Sequence, residues 1–165
     1  MANTAGIQFI KELDAENGAS RKCIERIPEK LYSWKPHERS MEMGYLTLLV
    51  ADIPRWITYI IEEKEIDFAT YEHFKLSTTS QLVEHYDKNV RGARTTLQGL
   101  TDEILSHDFS LKNKGELLYR TPVYDSISSA LNHWVHHRGQ LTVYMRLNDI
   151  AVPSIYGPSA DEVIF

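Results

Sequence analysis

The ten residues Asn132-His133-Trp134-Val135-His136-His137-Arg138-Gly139-Gln140-Leu141 are the most informative stretch of this chain. They hold three of its seven histidines and lie where apolar residues recur at helical spacing. On a helix, His133 and His137 lie one turn apart and project from the same face, whereas His136 projects elsewhere. The spacing therefore predicts a helix on which two imidazoles can share one metal ion.

A helical wheel of about 100° per residue places this pair beside the core face of the helix. The core line consists of Ile127, Leu131, Trp134, Arg138, Leu141 and Met145. His133 and His137 lie about 80–120° to one side of that line, together with Gln140 and Tyr144. We therefore expect a neighbouring helix or a cleft to cover the pair.

Arg138 is the one charged residue on this core line. A guanidinium group in an apolar environment requires a compensating charge. The sequence suggests Asp52, Asp87 or Asp161 as its partner.

The length and composition predict a single domain that covers residues 1–165. Hydrophobic residues make up 42% of the chain and charged residues 25%, as in ordinary soluble proteins. The net charge of −5 argues against a nucleic-acid partner. The single cysteine, Cys23, and the lack of an export signal predict a cytoplasmic location. No apolar run is long enough to predict a membrane segment.

Hydrophobic periodicity predicts four long helices, at residues 4–27, 40–63, 80–100 and 122–148. Ser40 is the expected cap of the second helix, and residues 64–77 are expected to form a loop. Alternating apolar residues around Asn113-Lys114-Gly115 predict a small β-hairpin that projects from the helices. We therefore predict an all-α protein, a four-helix bundle with a small hairpin before the last helix.

Two polar features of the helices leave alternatives open. The centre of the first helix, at Asn17, Gly18 and Ser20, is small and polar. It is interpreted either as a weak helix centre or as the wall of a pocket between helices. His85, on the third helix, is interpreted as a surface or boundary histidine.

Three motifs resemble those of the DinB-like family. They are the stretch from His133 to Leu141, the tail segment Ser154-Ile155-Tyr156-Gly157-Pro158-Ser159-Ala160-Asp161-Glu162, and the segment from Met43 to Trp56. Proteins of this family are four-helix bundles in which three histidines bind a divalent metal, usually zinc or nickel. The resemblance implies that His133 and His137 are the two ligands supplied by the last helix.

The second helix departs from the family pattern. The family has Met-Gly-x-Leu-x-x-His-x-Ala, whereas this chain has leucine at the histidine position, Leu49. Leucine cannot ligate a metal, and a pair of imidazoles is an incomplete set for an ion that prefers four ligands. Asp52, one turn further along, is the candidate substitute for the third ligand. Without a substitute, we expect weak binding of zinc or nickel.

Members of the family with known activity are metal-dependent enzymes that use low-molecular-weight thiols such as bacillithiol, mycothiol or glutathione. One hypothesis is therefore a thiol transferase with a substituted ligand set. The other is a non-catalytic or weakly metal-dependent bundle that binds a small molecule, and Leu49 favours it by adding hydrocarbon to the site. The expected pocket residues are Leu49, Trp56, Gln140 and Tyr144. A homodimer formed through a helix face is also expected.

Overall fold

The computed structural model of the chain describes residues 4–163. Within them the chain forms five α-helices and three β-strands. The helices are α1 (Thr4–Glu25), α2 (Met43–Glu62), α3 (Thr79–Gln98), α4 (Asp102–Ser106) and α5 (Val123–Leu147). The strands are β1 (Glu65–Asp67), β2 (Asp108–Asn113) and β3 (Glu116–Pro122). No helix among residues 4–163 combines the length and the apolar character needed to cross a membrane.

The four long helices pack through the apolar stripes that the sequence predicts. Helix α2 packs against α3 and α5, and α1 packs against the same two helices. On α2 the stripe of Leu46, Val50, Ile53 and Ile57 is fully buried. On α5 the core line is buried along its whole length, which confirms the wheel. Burial of each aliphatic side chain in these stripes contributes about 1.5–3 kcal/mol, so the stripes hold the helices together.

Helix α2 begins two residues later than predicted, at Met43, so Glu42 rather than Ser40 is at the N-cap position. The backbone N–H groups of Met43 and Gly44 donate to the carbonyl oxygens of Trp34 and Tyr32, at 2.8 and 2.9 Å. The preceding segment therefore satisfies the donors that a capping side chain would otherwise take. A Cβ atom on Gly44 would lie 2.8 Å from the Cβ atom of Tyr32, so this crossing requires glycine.

The hairpin between β2 and β3 is confirmed. The two strands pair in antiparallel fashion, and the turn residues Lys114 and Gly115 have φ values of 52° and 79°. Positive φ at both central residues suits the right-handed twist of the flanking strands. The carboxylate of Asp67 accepts hydrogen bonds from both backbone N–H groups of the turn, at 2.9 and 2.6 Å.

The chain is mostly helical, as predicted, but its strands form a three-stranded sheet rather than a hairpin that projects from the helices. The segment 65–67, within the predicted loop, forms β1 and pairs with β2 in parallel. A three-residue strand is too short to show periodicity, and its partner lies more than forty residues away along the chain. Ile66 on β1 and Phe109 on β2 are buried, so the sheet packs onto the helices.

Arg138 pairs with Glu16 rather than with any of the aspartates suggested from sequence. Its guanidinium is almost fully buried, and Nη1 lies 2.5 Å from Oε2 of Glu16. Nη1 also donates to Ser20 Oγ at 3.2 Å, and Nη2 donates to the hydroxyl of Tyr156 at 2.8 Å. The small polar centre of α1 is therefore the binding surface for a buried arginine.

The three aspartates are engaged elsewhere. Asp87 pairs with Arg21, and Asp161 pairs with Arg146. Asp52 contacts His85 and Tyr71. Side-chain partners on different helices depend on how the helices are oriented, which the sequence pattern does not contain.

Candidate functional site

Two cavities of about 240 Å³ each lie beside each other where α2, α5 and the sheet meet. The first, which we name the histidine cavity, is lined by residues that include Leu49, Asp52, Tyr71, His133 and His137. The second, the sheet cavity, is lined by residues that include Ile60, Phe109, Leu111, Tyr119 and Ala130. Both are bordered by Trp56, Ile66, Phe68 and His133, so they adjoin along these side chains. Their walls are mainly apolar, as in small-molecule sites.

His133 and His137 point toward each other, as their spacing on α5 predicts. Their Nε2 atoms are 2.7 Å apart, and Nδ1 of His137 lies 2.7 Å from Oε1 of Gln140. Because Oε1 is an acceptor, Nδ1 of His137 carries the proton in this arrangement. Nε2 of His137 then accepts the N–H of His133. Gln140 therefore orients His137 rather than lining the histidine cavity.

Both histidines are held in the neutral form. Burial lowers the pKa of His133 below its ordinary value, and the neighbouring imidazoles of His137 and His136 lower it further. Burial also lowers the pKa of His137, although its hydrogen bond to Gln140 acts in the opposite direction. The pair at neutral pH is therefore an uncharged donor and acceptor system.

These lowered pKa values predict how stability depends on pH. In the unfolded chain a histidine has its ordinary pKa of about 6.5. Between that value and the lowered native pKa, the unfolded chain binds more protons, so the free energy of unfolding falls as the pH falls. We expect the free energy of unfolding to fall less over this pH range in a variant that carries both His133→Gln and His137→Gln. Urea unfolding at a pH above and a pH below this range measures the change in stability for wild type and for the variant. Equal changes in the two proteins would show that His133 and His137 do not have lowered pKa values.

Leu49 and Asp52 lie in the same cavity as the histidine pair. Leu49 contributes only hydrocarbon to its wall. Asp52 is 5% exposed, and each of its oxygens already has a partner. Its Oδ1 lies 2.9 Å from Nε2 of His85, and its Oδ2 accepts the hydroxyl hydrogen of Tyr71 at 2.7 Å.

The side chains in this cavity do not form a complete set of zinc or nickel ligands. Among residues 4–163, no three His, Cys, Asp or Glu side chains are grouped closely enough to hold a metal ion. Two nitrogens bound to one tetrahedral zinc at about 2.0–2.1 Å would be roughly 3.3 Å apart. The two Nε2 atoms are closer than that, and they share a proton that a metal would have to displace.

The other expected pocket residues have different positions. Trp56 stands between the two cavities, and its ring centroid is 5.4 Å from that of His133. Tyr144 lies outside both cavities. Its hydroxyl donates to the carbonyl oxygen of Met41 at 3.2 Å, and its ring packs edge-on against Trp34.

Sequence reasoning missed the polar network behind Asp52. His85 stacks on Phe74 with ring centroids 4.1 Å apart, and Asn89 donates to the carbonyl oxygen of Ala51 at 2.9 Å. His85 and Asn89 are one turn apart on α3, but their spacing does not identify a partner on α2. The recurrence of Phe68, Tyr71 and Phe74 at every third position was a usable signal, because so many aromatic residues are unusual in an exposed loop.

Comparison with known proteins gives the family of the chain. The model of the DinB family matches residues 1–163. A relative from Bacillus subtilis (strain 168), described as the uncharacterized protein YrdA, is 23% identical over 156 residues. That match covers 93% of this chain and 89% of the relative.

Two solved structures share the fold. A DinB-like protein of Bacillus subtilis, YjoA, has a TM-score of 0.71 and 21% identity, covering 90% of this chain and 97% of that one. A DinB-like protein of Bacillus cereus ATCC 10987 has a TM-score of 0.67 and 19% identity, covering 90% and 95%. The family match extends over nearly the whole sequence, and the fold agrees with it. The chain therefore belongs to the DinB family.

Proposed function

We propose that this protein is a DinB-type four-helix bundle that binds a small, mainly apolar organic molecule beside a degenerate metal site. The observation that carries the proposal is the position of Leu49, which adds hydrocarbon to the cavity that also holds His133 and His137. Two of the three family histidines are kept, and they hydrogen-bond to each other. Neutral imidazoles in an apolar cavity suit an organic ligand that carries one polar group.

The size of the site limits the ligand. Each cavity has a volume of about 240 Å³, somewhat below the roughly 300–1,000 Å³ of pockets for drug-sized molecules. The histidine cavity accordingly suits a ring with a short chain, and a longer molecule would extend past Trp56 into the sheet cavity. Burial of its apolar surface would contribute roughly 25 cal/mol per Å², which makes the hydrophobic effect the main driving force.

Filling the histidine cavity is expected to weaken the binding of a small organic ligand. In Leu49→Trp the larger side chain occupies part of the volume, so we expect phenylbutanol to bind at least about tenfold more weakly, a loss of roughly 1.4 kcal/mol. Ile7→Trp is the matched control, because Ile7 is exposed on α1 and lines neither cavity. Isothermal titration calorimetry compares the two variants with wild type. Equal affinities in all three proteins would reject the proposal.

A second candidate is a metal-dependent transferase that uses a low-molecular-weight thiol, with Asp52 as the substitute third ligand. It is supported by the position of Asp52 in the same cavity as His133 and His137. Asp52 would first have to give up its contacts with His85 and Tyr71. One equivalent of zinc or nickel bound by wild type, and lost in Asp52→Asn, would favour this candidate over the first.

A further inference from the structure

The histidine cavity is also lined by a buried carboxylate and by several aromatic rings. Asp52 is 5% exposed, and Trp56, Phe68, Tyr71 and Phe74 line the same cavity. From this arrangement we infer that the ligand is an organic cation, a small amine whose ammonium group lies against Asp52 and whose apolar part fills the cavity. The inference rests on the proposed function and specifies the class of ligand.

The carboxylate of Asp52 retains capacity to bind a donor. A carboxylate has about four lone-pair positions, and the contacts with His85 and Tyr71 use one on each oxygen. Burial raises the pKa of Tyr71 far above its ordinary value, and the negative charge of Asp52 raises it further. The phenol therefore remains protonated and donates its hydrogen bond to Oδ2 of Asp52.

The nearby side chain of Arg55 does not occupy the remaining lone pairs of the Asp52 carboxylate. The guanidinium of Arg55 lies over the rings of Tyr59 and Tyr71, 5.1 Å from each centroid. Its N–H groups donate to the carbonyl oxygen of Glu72 at 2.9 Å and to the hydroxyl of Tyr59 at 2.8 Å. Arg55 therefore weakens the negative potential at Asp52 without using its remaining lone pairs. A ligand ammonium can approach the carboxylate directly.

The rest of the cavity also favours a cation over an anion. The described residues that line it include no lysine or arginine. Aromatic rings such as those of Trp56 and Phe68 attract a cation to their faces, and this attraction increases when water is excluded. Nε2 of His137 is used by the contact with His133, but the unprotonated Nδ1 of His133 is an acceptor, which suits the N–H donors of an ammonium group. An anionic ligand would meet Asp52 without a compensating charge.

A series of three ligands of similar size tests the inference on the wild-type protein. Phenylbutylamine, phenylbutanol and phenylbutanoate differ mainly in the charge of the terminal group at neutral pH. We expect the amine to bind at least about tenfold more tightly than the alcohol, equivalent to roughly 1.4 kcal/mol, and the acid to bind most weakly. Calorimetric titration of each ligand gives the three dissociation constants.

Asp52→Asn tests the role of the carboxylate. The amide keeps the shape of the side chain but removes its charge, so we expect the amine to lose its tenfold advantage over the alcohol. Glu12→Gln, on the exposed side of α1, makes the same change of charge away from the cavity and should preserve the advantage. If Asp52→Asn fails to fold, the three ligands on wild type still test whether the cavity prefers a cation.

The outcomes separate this inference from the proposed function. Equal binding of amine and alcohol to wild type would overturn the inference but leave an apolar ligand site in place. A tenfold preference for the amine that survives in Asp52→Asn would overturn the assignment to Asp52. Absence of binding by all three ligands would reject the proposed function together with the inference.

Discussion

Leu49→His is expected to turn the cavity into a zinc site. The substitution supplies a third imidazole from α2 in the cavity that already holds His133 and His137. Even the loss of a partner outside the ligand shell typically weakens metal binding about 10–100-fold, so we expect the added ligand to increase zinc affinity by at least about 100-fold. Zinc at 100 times its dissociation constant would then stabilise the variant by about 2.7 kcal/mol. For a chain of this size, this corresponds to a rise in Tm of roughly 5–10 °C.

Zinc titration and thermal unfolding, each with and without zinc, measure this effect. The control is Leu49→His combined with His137→Ala, which has one histidine fewer and should lose most of the gain. Unchanged zinc affinity in Leu49→His would show that α2 and α5 do not bring the three positions together. Tight zinc binding by wild type would show instead that another residue already replaces the missing histidine.

Glu16→Leu is expected to destabilise the protein more than Arg138→Met. The side chain of Arg138 is 2% exposed and that of Glu16 is 16% exposed. Removing Glu16 leaves a buried guanidinium without its anion, which costs roughly 3–5 kcal/mol in buried pairs. We expect about 3 kcal/mol here, because Glu16 is partly accessible to solvent. Removing Arg138 leaves a carboxylate that water can reach, so we expect a loss of about 1–2 kcal/mol.

Urea unfolding of both single variants and of the double variant tests this asymmetry. Replacing both members of a buried ion pair by apolar side chains is often close to neutral. The double variant should therefore be more stable than Glu16→Leu alone. Equal losses in the two single variants, or additive losses in the double variant, would mean that the buried charge is not the main cost.

The sequence predicts those parts of the fold that depend on local periodicity. The stripes of α2 and α5 are visible as apolar residues at helical spacing, and positions 114 and 115 lie at the centre of the predicted hairpin. It does not predict β1, because a short parallel strand is defined by its partner rather than by its own residues. The pairing of Arg138 with Glu16 was missed for a similar reason, since it depends on how α1 lies against α5.

In the candidate site, too, the sequence predicts what depends on spacing within one helix and not what depends on contacts between helices. The spacing of His133 and His137 predicts that they share a face, and the family pattern identifies Leu49 as the substituted position. That Gln140 orients His137 is known only from the short distance between its Oε1 atom and Nδ1 of His137. The contact of Asp52 with His85 joins α2 to α3, and no pattern within either helix indicates it.

The most direct test of a small-molecule site beside the histidine pair is NMR of the wild-type protein titrated with phenylbutanol. We predict saturable shifts and intermolecular NOEs to the ring protons of Trp56 and His133, which border both cavities. NOEs confined to exposed apolar side chains such as Val143 and Leu147 on α5, or no saturable shifts at all, would contradict it.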